Sequence, residues 1–181
     1  MKVPEERVPD ANFEELAMPL FDQLYNFARW LTQDTTEAED LVQETFVKAL
    51  RGFSSFRLGT NFRAWMYRIL RNSFLNSRTG LKVTIAIEGE DEENLLPPET
   101  DTPESVFIGQ ANREIVQQAL ADLSVPFREI LLLCEVEEMS YQEISETLAI
   151  PIGTVMSRLS RARKALRDLL IKAQAGGRHG L

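Results

Sequence analysis

The sequence predicts an all-α protein made of two small helical domains joined by an acidic, flexible linker. Three observations carry that expectation. Apolar residues recur at helical spacing in both halves of the chain, and capping residues stand in front of them. Between the halves, "GLKVTIAIEGEDEENLLPPETD" combines glycine, paired proline and dense acid. The chain has 181 residues and is 44% hydrophobic, enough for one ordinary domain or two small ones with packed cores.

After a tail over residues 1–12, the first domain is expected over 13–79. Phe13 to Leu31 has helical apolar spacing, and Pro19 starts a fresh helix or kinks an old one. Thr36 with Glu39 reads as a capping box opening a helix over Glu37 to Arg51, with Gly52 as its stop. "FSSFRLGTN" reads as a loop, and Asn61 can cap a helix from Phe62 to Arg78. The linker spans 80–101 and is compatible with a short strand at "KVTIAI".

The second domain is expected over 102–172, followed by a tail over 173–181. Thr102-Pro103 starts a helix running to Asp122, and Ser124 with Pro126 restarts one through "REILLLCEVEE". Ser140 and Glu143 form a second capping box. Ile144 and Leu148 share one face of that helix; Pro151 cannot continue it, and Gly153 is expected to relax the backbone for a sharp turn. On the next helix Val155, Leu159, Ala162, Leu166 and Leu169 form an apolar stripe. Ser157, Ser160, Arg161 and Lys164 lie roughly opposite, with Arg158 and Arg163 on the flanks.

Charge is segregated along this framework. The net charge is -8, yet no acid occurs between Glu44 and Glu88, an interval holding eight Lys or Arg. From Thr154 onward, Arg158, Arg161, Arg163, Lys164, Arg167, Lys172 and Arg178 face a single acid, Asp168. The acidic connector separates two basic regions of the kind a polyanion would meet. The competing reading is that of ordinary solvated helix faces.

A short capped helix, a tight corner and a basic amphipathic helix describe a helix-turn-helix, with the second helix suited to a major groove. In the other basic block, "FSSFRLGTNFRAWMYRILRNSFLNSR" mixes aromatics with arginines. Its helix would turn Phe62, Met66, Ile69 and one edge of Trp65 inward. Arg71 and Arg78 then lie outward, with Tyr67 and Phe74 beside them, an arrangement suited to stacking unpaired bases. On the preceding helix Ala38, Val42, Phe46 and Ala49 face one way and Glu37, Asp40, Glu44 and Lys48 the other. That mainly acidic ridge suggests a protein partner.

One cysteine, Cys134, and one histidine, His179, exclude an internal disulfide and a Cys/His metal cluster. Cys134 sits in "ILLLCEV" and reads as a buried, inert thiol rather than a redox sensor. No phosphate-binding loop and no nucleophile–base set can be assembled, so neither an enzyme nor a cofactor is implied. "MKVPEERVPDANFEEL" has no apolar signal region and no run is long enough to span a bilayer, so a cytoplasmic protein is expected.

Three stretches taken together resemble the extracytoplasmic-function class of bacterial RNA polymerase sigma factors. They are "TEAEDLVQETFVKALRGFSSFR", "NFRAWMYRILRNSFLN" and "SYQEISETLAIPIGTVMSRLSRARKAL", in family order along Phe13 to Leu170. The resemblance implies two helical domains, regions 2 and 4. Asp40, Leu41, Gln43 and Glu44 would grip core RNA polymerase. Phe56, Arg57, Asn61, Trp65, Arg68, Arg71, Asn72 and Asn76 would open and read the promoter -10 element, with Phe56 and Asn72 holding a flipped base and Trp65 supporting the fold nearby. Thr154, Ser157, Arg158, Arg161 and Lys164 would read the -35 element. An anti-sigma factor is implied as a further partner, one that could hold the protein near the membrane. Many relatives carry a basic residue where this chain has Met156. Two other functions fit the same residues: a free helix-turn-helix regulator, which would bind its operator without polymerase, and a sigma mimic sequestering an anti-sigma protein, which would not need Arg161 or Lys164.

Overall fold

A computed structural model describes residues 12–79 and 113–176, and the chain divides into two compact units between Gly80 and Leu81. The strand considered at "KVTIAI", the Thr102-Pro103 helix start and His179 lie outside the described residues. Among the described residues, no helix is long and apolar enough to cross a membrane.

The first unit opens with α1 (Phe13–Ala17), capped by Asn12, whose side chain accepts from the Glu14 amide at 3.3 Å. A 3-10 turn over Met18–Leu20 contains Pro19 and links α1 to α2 (Phe21–Thr32), so the proline marks the break between two short α-helices. α2 ends on Gln33 in the left-handed region at φ 61°, and Asp34 then caps α3 (Thr35–Gly52) by accepting from the Glu37 amide at 2.8 Å. The expected Thr36–Glu39 box is therefore not the cap. The chain turns in a single left-handed residue, so the helix can begin two positions earlier. There a short carboxylate in extended backbone meets the free amides and the positive end of the helix dipole. α3 does end at Gly52, but in ordinary right-handed backbone, passing directly into a 3-10 turn over Phe53–Ser55.

α4 (Phe62–Thr79) starts as expected on Asn61, whose side-chain oxygen accepts from the Ala64 amide at 2.9 Å. Its inward face differs from the expected one. Tyr67 and Phe74 are fully buried with Ala64, Met66, Leu70 and Ser73, whereas Phe62 and Ile69 are only half-buried. α4 packs on both α2 and α3, so its buried arc is wider than a single stripe and is centred on Tyr67, Leu70 and Phe74. Phe27 of α2 meets Tyr67 edge-on at 5.2 Å. Each fully buried ring of this kind contributes about 1.5–3 kcal/mol. Thr45, in the interior of α3, satisfies its hydroxyl on the Leu41 carbonyl at 2.7 Å.

The second unit contains α5 (Arg113–Asp122), α6 (Val125–Leu131), α7 (Tyr141–Leu148) and α8 (Ile152–Gly176). α6 runs on into a π-helical turn over Leu132–Val136. Arg128 is buried and donates to the Leu120, Ala121 and Leu123 carbonyls at 2.7, 2.6 and 3.1 Å. A cation thus serves the helix end where the last carbonyls lack donors. The Ser140–Glu143 box forms as expected, with bonds of 3.2 and 2.9 Å.

The corner after α7 is made differently from expectation. Gly153 lies inside the first turn of α8, and the left-handed residue is Ala149, at φ 55° and ψ 45°. Pro151 disfavours helical backbone at Ile150, so the chain has to leave α7 before that residue. Ser145 then ties the corner, donating its hydroxyl to the Ile150 carbonyl at 2.6 Å. Along α8 the buried stripe is Val155, Leu159, Ala162, Leu166 and Leu170; Leu170 takes the place expected of Leu169, which is half-exposed.

An alanine in left-handed backbone bears a Cβ penalty that glycine avoids. Removing the left-handed penalty of about 1–2 kcal/mol, less about 0.4–1 kcal/mol for glycine's greater freedom in the unfolded chain, Ala149→Gly should raise stability by up to about 1 kcal/mol in denaturant unfolding. A loss of stability would show that Ala149 is held there by contacts that outweigh the penalty.

Candidate nucleic-acid interface

In the second unit the buried stripe of α8 fixes what points away. Ser157, Ser160, Arg161 and Lys164 are exposed, while Thr154 and Arg158 are half-buried. Ser157 donates to the Thr154 carbonyl at 3.2 Å, and Arg161 reaches back to the Ser157 carbonyl at 3.4 Å. These are weak bonds within the helix's own surface, and a polyanion could displace them.

Arg163 is placed quite differently. It forks onto Glu135 of the π-turn with bonds of 2.7 and 3.0 Å and approaches the Cys134 sulfur at 3.7 Å. Burial lowers its pKa, but the Glu135 carboxylate outweighs that, so it stays charged. Burial first, then Glu135, pushes the Cys134 thiol up from its ordinary value against the opposing pull of Arg163. At neutral pH the half-buried thiol is therefore protonated and a poor nucleophile.

In the first unit the outer side of α3 exposes Asp40, Gln43 and Glu44, with Glu44 paired to Lys48. Lys48 also donates to the buried Ser73 hydroxyl on α4 at 3.0 Å. Leu41, expected at this surface, is only 6% exposed and lies in the core with Ala38, Val42, Thr45 and Ala49. It sits one position off the outer ridge and can only support it. The same ridge continues into Val47 and Leu50, 48% and 60% exposed, which sequence reasoning passed over. Their spacing from Asp40 and Gln43 was the available sign, since 40, 43, 47 and 50 share one helical face.

The segment between α3 and α4 is held by aromatic rings. Phe56 stacks parallel to Phe53 at 6.2 Å, meets Phe62 edge-on at 5.3 Å and lies against Trp65 at 4.9 Å. Phe13 of α1 contacts both Phe53 and Phe62, and also Phe46 of α3. Phe56 is thus half-buried and fixed rather than free in a loop. Beyond it, the Thr60 hydroxyl and amide both return to the Arg57 carbonyl, and Gly59 at φ 88° allows that tight turn. Arg57 itself is exposed at the start of the turn.

From the cap residue Asn61, the positions of Trp65, Arg68, Asn72 and Asn76 fall within an arc of about 80° on α4. Arg68, Asn72 and Asn76 are exposed, and Trp65 is half-buried. Arg71 stands off this line and is half-buried. Arg78 is not outward beside a free ring: it pairs with Glu37 of α3 at 2.8 Å and lies over the buried Phe74 ring at 5.0 Å. The arrangement is a polar line backed by aromatics, able to stack and hydrogen-bond an unpaired base but without groups for bond-breaking chemistry.

Two family descriptions match the chain: Sigma-70 region 2 over residues 16–82 and Sigma-70 region 4 over residues 113–166. The "ECF RNA polymerase sigma factor SigE" of Mycolicibacterium smegmatis is 36% identical over 172 residues, covering 90% of this chain and 66% of that protein. The "ECF RNA polymerase sigma-E factor" of Escherichia coli (strain K12) is 35% identical over 137 residues, covering 72% of each chain. Among solved structures, the sigma factor RpoE of Bartonella quintana, in complex with the anti-sigma factor NepR, superposes with a TM-score of 0.67 at 31% identity. That match covers 87% of this chain and 96% of the other.

The different commitments of the α8 cations are separable by experiment. Arg161→Ala and Lys164→Ala should each flatten the log–log salt dependence of duplex DNA binding by about one unit. Arg163→Ala should leave the slope unchanged and lower the unfolding temperature. A slope change for Arg163 equal to that for Arg161 would contradict the assignment.

Proposed function

The chain belongs to the extracytoplasmic-function (ECF) RNA polymerase sigma factors of the sigma-70 family, and on that premise we propose how its two units divide promoter recognition. The protein is a dissociable, non-enzymatic specificity subunit acting in the cytoplasm. Asp40, Gln43 and Glu44 on the outer ridge of α3 engage core RNA polymerase, with Leu41 supporting them from beneath. Phe56 and the line Asn61, Trp65, Arg68, Asn72 and Asn76 take up the opened -10 strand, with Arg57 and Arg71 near its phosphates. Thr154, Ser157, Arg158, Arg161 and Lys164 of α8 meet the -35 duplex. An anti-sigma protein is the expected inhibitor, by analogy with the Bartonella sigma factor solved with NepR.

The single observation that supports this best is the fixed Phe56. A base leaving the duplex loses its stacking, a cost of a few kcal/mol, and an aromatic plane already held in place offsets part of it. Phe53, Phe62 and Trp65 fix the Phe56 ring before DNA arrives, so little side-chain entropy is lost on binding. Asn72, on the exposed line of the same helix, offers both a donor and an acceptor for the edge of such a base. Neither unit needs high affinity of its own, because one polymerase holding both raises their effective concentration.

Transcription reconstituted from core polymerase, this protein and a randomised promoter library tests the reading. Specific start sites should be selected that polymerase alone does not use. Phe56→Ala should slow promoter opening about tenfold or more, the value of one lost base stack, with affinity for core polymerase unchanged. Equal losses in opening and polymerase binding would make Phe56 a folding residue.

A further inference from the structure

One flank of α8 is unlike the rest of its outer surface. Ile152 and Met156, one turn apart, are 42% and 40% exposed, and exposed Ser160 continues the same line. The next residue on that side, Arg163, is drawn away by Glu135. The first turns of this flank therefore show DNA two apolar side chains and a small hydroxyl. The adjoining ridge of Ser157, Arg161 and Lys164 shows polar groups and charge. The opposite flank has half-buried Thr154 and Arg158.

Major-groove edges present a single methyl group, the C5-methyl of thymine, among hydrogen-bond donors and acceptors. A thioether with three rotatable bonds can follow a methyl in several positions, whereas a cation at the same place would favour guanine. We propose that Met156, flanked by Ile152, reads thymine through its methyl group, making this position a specificity determinant for the -35 element. The inference rests on the assignment of α8 to the -35 duplex. The continuity of the apolar pair with the cationic ridge argues for DNA as its occupant, since Arg161 and Lys164 would bring the phosphates of the same groove alongside.

The test uses the holoenzyme and a -35 element selected from a randomised library. Each thymine in turn is replaced by deoxyuridine, which removes only the methyl. At one or two positions initiation should fall about fourfold, the value of one buried methyl-sized group. That penalty should disappear with Met156→Ala while penalties elsewhere persist. Met156→Arg should move the preference at the same position toward guanine. A deoxyuridine penalty that is absent everywhere, or undiminished in Met156→Ala, would overturn the proposal while leaving the -35 assignment standing. A library that yields no -35 preference would overturn both. A uniform loss across all promoters with Met156→Ala would instead assign the residue to a protein contact and also overturn the proposal.

Discussion

Each of the other described helices of the second unit packs on α8, and the line of Val155, Leu159, Ala162, Leu166 and Leu170 holds them together. Those five side chains decide two things at once. They supply much of the apolar burial of the unit, and by facing inward they fix which residues can face a duplex. Rotating the helix by even one position would bury Lys164 or expose Leu159, either of which costs several kcal/mol. The stability of the unit and the choice of its outward residues are therefore set by a single periodicity. The capped corner before α8 serves the same constraint, because Ala149 and Pro151 determine where the helix begins and hence its rotational setting.

Ion pairing refines that pattern by removing some cations from the outer surface. Arg163 is bound to Glu135 and Arg78 to Glu37, and Arg128 is consumed by helix-end carbonyls. What the charge count presents as a broad basic field reduces to a smaller set of outward residues on α4, on α8 and, at Arg51 and Arg57, at the end of α3 and in the segment that follows it. In the first unit aromatic packing does the comparable work. Phe13, Phe46, Phe53, Phe62 and Trp65 form a continuous set of rings around Phe56, linking α1 and α3 to the segment entering α4. The α3 helix and the segment that carries Phe56 are thus tied together by one packed aromatic cluster.

Much of this was legible in the sequence. The helices were visible because apolar periodicity and capping chemistry agree, as at Asn61 and at Ser140 with Glu143. Several features were not, and three show why. Asp34 displaced Thr36 as a cap because a left-handed residue, Gln33, shortened the turn, and backbone handedness leaves little trace in a non-glycine residue. Tyr67 and Phe74 were assigned outward because a single-stripe reading assumes one packing partner, whereas α4 has two. Glu135, the partner of Arg163, lies in a π-turn, and no local pattern announces such a turn. In the candidate sites, Trp65, Arg68, Asn72 and Asn76 came from the family resemblance, since helical spacing alone had singled out Arg71 and Arg78, while the burial of Leu41 and the anchoring of Phe56 needed tertiary contacts.

On the proposed reading, both units engage a promoter specifically only when polymerase holds them together. Its most direct test compares binding of this protein to a selected promoter fragment with and without core polymerase, at one fixed salt concentration. The expected result is a sequence-specific complex with polymerase and only weak, sequence-independent binding without it, at least about tenfold weaker. Equally tight and specific binding of the duplex by the protein alone would contradict it.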